Sequence, residues 1–207
     1  MLAGMKVMLA AALLASCAPQ QTERGEPAVR ADLYACEGCE GAYERDPTSN
    51  RDRMGPADEP GEPLVLTGTV YRTDGRTPAG GVVIYAYSTN AEGVYGNGTP
   101  ETEWSDRHGN LRGWIVTGDD GTYRFDTIKP APYPDQTFPA HIHLTVAEPG
   151  RPPYWIDDVV FKGEPFVDAA YVARMENRGG DGIVALSRDA DGVWQARRDI
   201  VLEPHPR

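Results

Sequence analysis

The residue pattern that most directly suggests chemistry is a pair of histidines two positions apart. The chain has four histidines, and two of them stand in Ala140–Ala147, which reads AHIHLTVA. Residues two apart on a β-strand point to the same face, so His141 and His143 would project together while the apolar residues between and after them face a core. Converging imidazoles provide half of a metal site. On this pattern alone, two solvent-exposed histidines on a sheet face are an equally good interpretation.

The segment before these histidines makes the pattern more specific. Residues 118–134 read GDDGTYRFDTIKPAPYP, and residues 139–143 read PAHIH. Together they resemble the intradiol ring-cleavage dioxygenases, the family of the catechol and protocatechuate dioxygenases, and the resemblance extends as a pattern from about Leu64 to Leu202. It implies an antiparallel β-sandwich with a non-haem Fe(III) ion, a small aromatic diol as substrate, and O2-dependent cleavage of the ring between the two hydroxyls.

The resemblance also implies which side chains bind the metal. The family holds its ferric ion with two tyrosines and two histidines, and His141 and His143 match the histidine pair. Tyr133 matches a tyrosine between two prolines and resembles the one that leaves the metal and takes a substrate proton. Tyr95 matches the second tyrosine, which stays bound. A trivalent ion lowers the pKa of a phenol, ordinarily near ~10, enough to bind phenolate at neutral pH.

Other positions complicate this expectation. Tyr85 and Tyr87 compete with Tyr95, although packing is the commoner role for tyrosines within a strand. Arg112 begins the region where the resemblance is densest, residues 112–143, and could position substrate or pair with an acid. The family usually has an arginine just before Pro-Ala-His, and Phe138 stands there in this chain. Loss of that cation could raise the barrier by about a few kcal/mol, so efficient cleavage is in question.

The elements that must position these residues are short strands separated by turns. Gly 23 and Pro 18 among 207 residues favour a turn-rich fold, and no long segment has a helical period. Apolar or alternating runs predict an all-β sandwich of about eight strands. The predicted strands are Leu64–Arg72, Gly81–Ser88, Leu111–Thr117, Thr122–Ile128, Ala140–Ala147, Ile156–Phe161, Gly182–Ser187 and Val193–Leu202. One helical turn is predicted around Asp168–Met175.

The N-terminus is typical of an exported lipoprotein. Residues 1–16 contain one lysine and the apolar run Val7–Ala15, which is too short to span a bilayer. Leu-Ala-Ser before Cys17 resembles a bacterial lipoprotein signal, in which the cysteine is acylated; an ordinary cleaved signal is the alternative. Lipidation of Cys17 would anchor the protein to a bacterial membrane, on its periplasmic or cell-surface side.

The rest of the chain divides into a tether and a domain. Residues 17–62 are polar and aperiodic, which predicts a poorly structured tether, and Cys36 and Cys39 within it form an even pair for a small disulfide loop. The dioxygenase-like domain is predicted over 63–203. The formal charge of -11 disfavours nucleic acid as a partner. Together with Phe138, this charge favours a neutral catechol over an anionic one.

Two other functions fit parts of the sequence. A cupin-like metalloenzyme would combine the histidine pair with Glu148, but Asp135 stands where a cupin has glycine. A non-catalytic, surface-attached β-sandwich binding module would suit the early strands, but it does not explain Tyr133 together with the histidine pair. Bound iron separates these alternatives, because tyrosinate bound to Fe(III) gives a red-brown protein.

Overall fold

Two β-sheets make up most of the structure, a computed structural model that describes residues 28–97, 102–135 and 138–207. Two α-helices, α1 (Glu103–His108) and α2 (Ala169–Arg174), and a 3-10 helix over Cys39–Tyr43 lie outside the sheets. The strands are β1 (Arg51–Arg53), β2 (Pro63–Tyr71), β3 (Val83–Ser88), β4 (Arg112–Val116), β5 (Thr122–Ile128), β6 (His141–Ala147), β7 (Tyr154–Phe161), β8 (Ile183–Val184), β9 (Leu186–Arg188), β10 (Trp194–Arg197) and β11 (Ile200–Val201).

The sheets combine antiparallel ladders with parallel edges. The first sheet has the order β1-β5-β2-β10-β9, with β11 also paired to β2, and the second has the order β4-β3-β6-β7-β8. The ladders among β2 and β5, and among β3, β4, β6 and β7, are antiparallel. In contrast, β1, β10, β11 and β8 each have a parallel partner. The predicted sandwich is confirmed, but its sheets are mixed because long connections, not hairpins, lead to these parallel partners.

The core lies between the sheets and follows the alternation of the strands. Leu66 of β2 and Phe125 of β5 are directly paired, and both are fully buried. From the second sheet, Ile84 of β3 and Ile142 of β6 belong to the same core cluster. Each such side chain contributes about 1.5–3 kcal/mol when it leaves water. One face of β6 is thus buried in the sandwich, and its other face is available for the histidines.

All eight predicted runs contain strands, and α2 lies in the predicted helical turn. The last two runs are each divided into two strands. Between β10 and β11 the chain passes over Gly68, where a Cβ would lie 1.8 Å from the carbonyl oxygen of Arg198. The Arg198 guanidinium is buried and donates to the carbonyl oxygens of Asp157 and Arg178. This crossing interrupts the strand, and hydrophobic periodicity does not predict it.

The folded domain begins earlier than predicted. The segment 28–62, expected to belong to a tether, packs on the sandwich, and Leu33 and Met54 are 0% and 1% exposed within its core. Strand β1 adds to the first sheet, and Cys36 and Cys39 form the predicted disulfide. The apolar residues of this segment are few and irregularly spaced, so they produce no periodic signal although they are buried.

The predicted signal over 1–16 and the acylated Cys17 lie outside the described residues. Among the residues that the structure describes, no helix has the length and apolar character needed to cross a membrane.

Candidate metal centre

Four side chains bring their polar atoms together at one end of the second sheet. The hydroxyl oxygens of Tyr95 and Tyr133 are 2.9 Å apart, and the Nε2 atoms of His141 and His143 are 3.0 Å apart. Tyr95 lies 3.1 Å from His143 Nε2, and Tyr133 lies 3.3 Å from His141 Nε2. The structure therefore brings together all four residues that the sequence predicts as ligands.

Two loops that touch each other position the tyrosines. After β3, the Asn90 side chain accepts hydrogen bonds from the backbone amides of Glu92 and Val94 and forms a tight turn that leads to Tyr95. Gly93 has a φ of 79°, and a Cβ there would lie 2.0 Å from the carbonyl oxygen of Pro132. This close approach requires glycine and fixes the Tyr95 loop against the segment that carries Tyr133.

Strand β6 and a β-bulge in β7 position the histidines. His141 and His143 share the face of β6 opposite the core, as the alternation predicts. Ile142 pairs with Val159 but Leu144 pairs with Ile156, so β7 has one extra residue opposite His143. Bulges of this kind redirect side chains beside functional sites. Here the bulge places Asp158 Oδ1 2.8 Å from His143 Nδ1.

The hydrogen bonds at the far side of each ring fix the tautomers. The carbonyl oxygen of Pro139 lies 2.7 Å from His141 Nδ1 and can only accept, so this nitrogen carries the proton. Asp158 imposes the same tautomer on His143, because a carboxylate accepts from Nδ1. Both Nε2 atoms therefore direct a lone pair into the cluster. At a separation of 3.0 Å, these lone pairs repel each other, and a cation bound to both nitrogens would remove that repulsion.

Burial favours the neutral forms of Tyr95, Tyr133 and His141 when no cation is present. Burial raises the pKa of Tyr95 above its ordinary value, and the hydrogen bond to Tyr133 adds to this effect. Burial also raises the pKa of Tyr133, although the hydrogen bond from Tyr95 opposes the change. For His141, burial and then the nearby His143 lower the pKa. Two phenols and a neutral imidazole in a partly buried site are donors that a positive ion can convert into strong ligands.

The donor set fits a ferric ion. Two imidazole nitrogens 3.0 Å apart match two metal–nitrogen bonds of about 2.1 Å at an angle near 90°, and phenolate oxygens are hard anionic ligands that stabilise a trivalent ion. His141, His143 and Asp158 also form a group close enough to hold a metal. Asp158, however, uses its oxygen on His143 Nδ1, and it therefore orients the histidine and raises its basicity.

A pocket of about 460 Å³ reaches this cluster through His143 and Asp158. Phe138 packs edge-on against His141 and Tyr171, with ring centroids 5.0 and 5.6 Å apart. The space next to His141 is therefore aromatic and apolar. Residues from several separate parts of the chain line this pocket, among them Cys36, Cys39, Tyr87, Phe138, His143, Asp158, Tyr171 and Arg174.

Tyr85 and Tyr87, the competitors of Tyr95, have other partners. Tyr87 stacks on His143 at 4.4 Å between ring centroids and on His108 at 4.0 Å. The hydroxyl of Tyr85 lies 2.8 Å from His108 Nδ1, and burial strongly raises the pKa of this tyrosine. Tyr87 thus packs behind His143, and Tyr85 stacks on Tyr87 in turn.

Arg112 and Glu148 have contacts elsewhere. Arg112 forms an ion pair with Glu44 and lies over the ring of Trp114, 5.0 Å from its centroid. No contact recorded for it within the described residues joins it to the four converging side chains. The carboxylate of Glu148 is 3.0 Å from His205 Nε2. This position provides no third ligand for the cupin-like arrangement.

Comparisons with known proteins agree with this geometry. A family model described as dioxygenase matches residues 37–204. The chain belongs to the intradiol ring-cleavage dioxygenase family.

It is 32% identical over 158 residues to the chlorocatechol 1,2-dioxygenase of Rhodococcus opacus, an alignment that covers 67% of this chain and 58% of that protein. It is 34% identical over 137 residues to catechol 1,2-dioxygenase 1 of Acinetobacter lwoffii, covering 58% and 43%. The chain thus spans about half the length of these relatives.

Solved structures show the same intradiol dioxygenase fold. The dioxygenase domain of a dioxygenase and carbohydrate-binding protein fusion from Streptomyces sp. SirexAA-E aligns with a TM-score of 0.55 at 26% identity, over 77% of this chain and 92% of that one. The catechol 1,2-dioxygenase of Acinetobacter radioresistens aligns with a TM-score of 0.61 at 18% identity, over 79% and 60%. At this lower identity the likeness concerns the fold alone.

Asp158 and the position of the disulfide loop beside the pocket were not predicted from the sequence. Two adjacent acids, Asp157 and Asp158, interrupt the apolar run WIDDVVF, and charged residues inside a mostly buried strand are a signal of a special role. The loop had no comparable signal. Its position beside the pocket depends on contacts between residues far apart in the chain.

Proposed function

We propose that this protein is a non-haem Fe(III) enzyme that uses O2 to cleave the ring of a catechol between its two hydroxyls. The observation that carries the proposal is the convergence of Tyr95, Tyr133, His141 and His143, with both imidazole lone pairs directed inward. Membership of the dioxygenase family supports the same reaction. When bound, the ferric ion would supply the charge that holds phenolates and a catechol dianion and would make the ring electrophilic towards O2.

The two tyrosines would have different roles. The hydrogen bond between them favours the phenolate of Tyr133 and opposes that of Tyr95, so Tyr133 is the easier of the pair to ionise. Tyr133 would leave the cluster when substrate binds and accept a proton from a catechol hydroxyl at its phenolate oxygen. Tyr95 would remain in place, held by the turn at Asn90 and by the contact between its loop and Pro132.

Substrate positioning would depend on the aromatic pocket beside His143. A volume of about 460 Å³ is within the range of small-molecule sites. Phe138 presents an aromatic ring beside His141, where the family usually has a cation. A substrate without a carboxylate needs no such partner, so we propose a neutral catechol. Turnover would be slower than in relatives that have the arginine, because developing negative charge lacks that stabilisation.

We also propose that the protein is exported and anchored through a lipid on Cys17. The support is the apolar run Val7–Ala15 and the residues before Cys17, together with the Cys36–Cys39 disulfide, which is typical of an oxidising compartment. Metabolic labelling with a radioactive fatty acid tests this anchor. Label in the wild type and none in Cys17→Ser is the expected result, and label in both proteins would contradict it.

Iron content and colour test the proposed centre. The iron-loaded protein should be red-brown, and Tyr133→Phe and His143→Ala should each lose the visible band and ring cleavage while the circular dichroism spectrum stays unchanged. Tyr43→Phe is a matched control, because Tyr43 is 61% exposed and belongs to the 3-10 helix, away from the four donors. It should keep both colour and activity.

Two results would contradict the assignment. Full iron content and an unchanged visible band in both variants would mean that the metal binds elsewhere. A colourless wild-type protein after iron loading would mean that no tyrosinate binds the metal. Activity is measured as O2 consumption with catechol, hydroxyquinol and protocatechuate.

A further inference from the structure

The disulfide loop, residues 36–39, lies against the aromatic side chains that support the candidate metal centre. Gly38 has a φ of 92°, and a Cβ there would lie 2.8 Å from His108 Nε2 and 3.5 Å from the Trp104 ring. Cys39 is 2% exposed and accepts a hydrogen bond from Thr145 at 3.8 Å. The loop is therefore packed onto the outer face of the second sheet, next to β6.

Fixed contacts continue on the C-terminal side of the loop. The indole nitrogen of Trp114 donates to the carbonyl oxygen of Gly41 at 2.9 Å, and a Cβ at Gly41 would lie 2.9 Å from the Tyr85 ring. Ala42 is buried in the same small cluster. These contacts hold the loop in one position, as is required of a wall that distinguishes between ligands.

The disulfide separates two cavities. Cys36 and Cys39 line both the inner pocket of about 460 Å³, which contains His143, and an outer groove of about 480 Å³ on the other side of the loop. The two acids next to the disulfide, Glu37 and Glu40, line different cavities. Glu37 lines the inner pocket, whereas Glu40 lines the outer groove.

We propose that the disulfide loop, residues 36–39, is the outer wall of the substrate pocket and that Glu37 on it disfavours catechols that carry a carboxylate. This inference rests on the proposed function and adds a specificity-determining residue to it. A catechol bound next to His143 would direct its ring substituents away from the metal and towards the loop and α2. A negative substituent there would approach the Glu37 carboxylate.

Together, the other charged side chains that line the inner pocket also disfavour a negative ring substituent. Asp157, Asp158 and Glu176 also line it, and Glu176 is paired with Arg30. Arg174 is the cation among the lining residues, and its guanidinium lies 5.9 Å from the centroid of the Tyr171 ring. Glu37 pairs with Arg107 of α1, which does not line the pocket. Carboxylates therefore outnumber cations around the space for a ring substituent.

Two charge reversals in one short segment test the role of Glu37. Glu37→Lys should raise the kcat/KM for 3,4-dihydroxybenzoate relative to that for catechol by about threefold or more, a modest effect because Glu37 is exposed to solvent and salt screens it. Glu40→Lys makes the same change of net charge beyond the disulfide, and it should leave the ratio unchanged. Binding of both catechols to the iron-loaded proteins is measured in parallel by calorimetry without O2, and the ratio of affinities should change in the same direction.

Opening the loop tests the wall itself. The double variant Cys36→Ser, Cys39→Ser should lower the KM for 4-tert-butylcatechol relative to the KM for catechol. The change in kcat should be smaller than the change in KM. The wild-type protein treated with dithiothreitol tests the same point without a substitution, in case the double variant does not fold. Circular dichroism and iron content accompany both measurements.

The outcomes separate this inference from the function on which it rests. If wild-type protein cleaves catechol but Glu37→Lys and Glu40→Lys give the same substrate ratio, Glu37 has no role in selection and the cleavage reaction stands. If opening the disulfide also leaves the KM for 4-tert-butylcatechol unchanged, the loop is not a pocket wall. If iron-loaded wild-type protein neither binds nor cleaves either catechol, the proposed function fails and this inference fails with it.

Discussion

Replacing Asp158 measures how much the protein contributes to the proposed metal centre beyond the four proposed ligands. The Asp158 carboxylate, 20% exposed, accepts from His143 Nδ1 at 2.8 Å. Burial raises the pKa of Asp158, but its interaction with His143 outweighs this effect, so the pKa is lowered overall and the carboxylate is ionised at neutral pH. An ionised partner increases the electron density that His143 can donate to a metal.

The expected loss follows from the type of hydrogen bond. A bond to a charged group contributes about 1.5–3 kcal/mol and a neutral one about 0.5–1.5 kcal/mol. Asp158→Asn keeps an acceptor but removes the charge, a loss of about 1 kcal/mol, which corresponds to about a fivefold weaker affinity for iron. Asp158→Ala removes the whole interaction, and the affinity should fall about 30-fold, within the usual range for partners of metal-binding histidines.

Competition with a chelator measures the affinity for iron, and the visible spectrum reports the donor strength of the ligands. We expect the tyrosinate-to-iron band to shift in both variants. Weaker electron donation from His143 would change the Lewis acidity of the bound ferric ion. Asp126→Asn is the control: Asp126 pairs with Arg51 and Arg124 on the first sheet. The reasoning is refuted if Asp158→Ala binds iron as tightly as the wild type and has the same spectrum.

Two further predictions concern stability. Leu33→Ala should lower the free energy of unfolding by about 2–5 kcal/mol, because Leu33 is fully buried. Val29→Ala is the control and should change it little, because Val29 is 59% exposed. Equal effects of the two substitutions in urea unfolding would mean that the N-terminal segment is not part of the domain. Burial lowers the pKa of His108 from 6.5 to about 4, so between these values the unfolded chain binds a proton that the folded protein excludes. The free energy of unfolding of iron-free protein should therefore fall as the pH decreases through this window, with no further loss from His108 below about pH 4. His108→Gln should show a smaller fall, and an identical pH dependence in the two proteins would count against a buried, neutral His108.

Three of the candidate ligands, Tyr133, His141 and His143, and the main strands could be predicted because their signals are local. The alternation in AHIHLTVA indicates a strand with two histidines on one face, and its apolar face is found in the core. Tyr133 has a specific motif around it, the prolines on either side. Tyr95 was harder to distinguish from Tyr85 and Tyr87. The turn at Asn90 and the approach of Gly93 to Pro132 bring Tyr95 to the cluster, and these are contacts between separate loops.

The amino-acid sequence by itself determined the sandwich and its principal strands, because strand periodicity depends on neighbouring residues, and the resemblance of its motifs to the intradiol dioxygenases indicated the four side chains that converge. Only the tertiary structure decided that segment 28–62 belongs to the domain and that a bulge in β7 places Asp158 behind His143. The tertiary structure also showed that Arg112 forms an ion pair with Glu44. It also placed the disulfide loop beside the pocket. These features arise from packing between residues many positions apart, and neither propensity nor periodicity encodes which distant surfaces will meet.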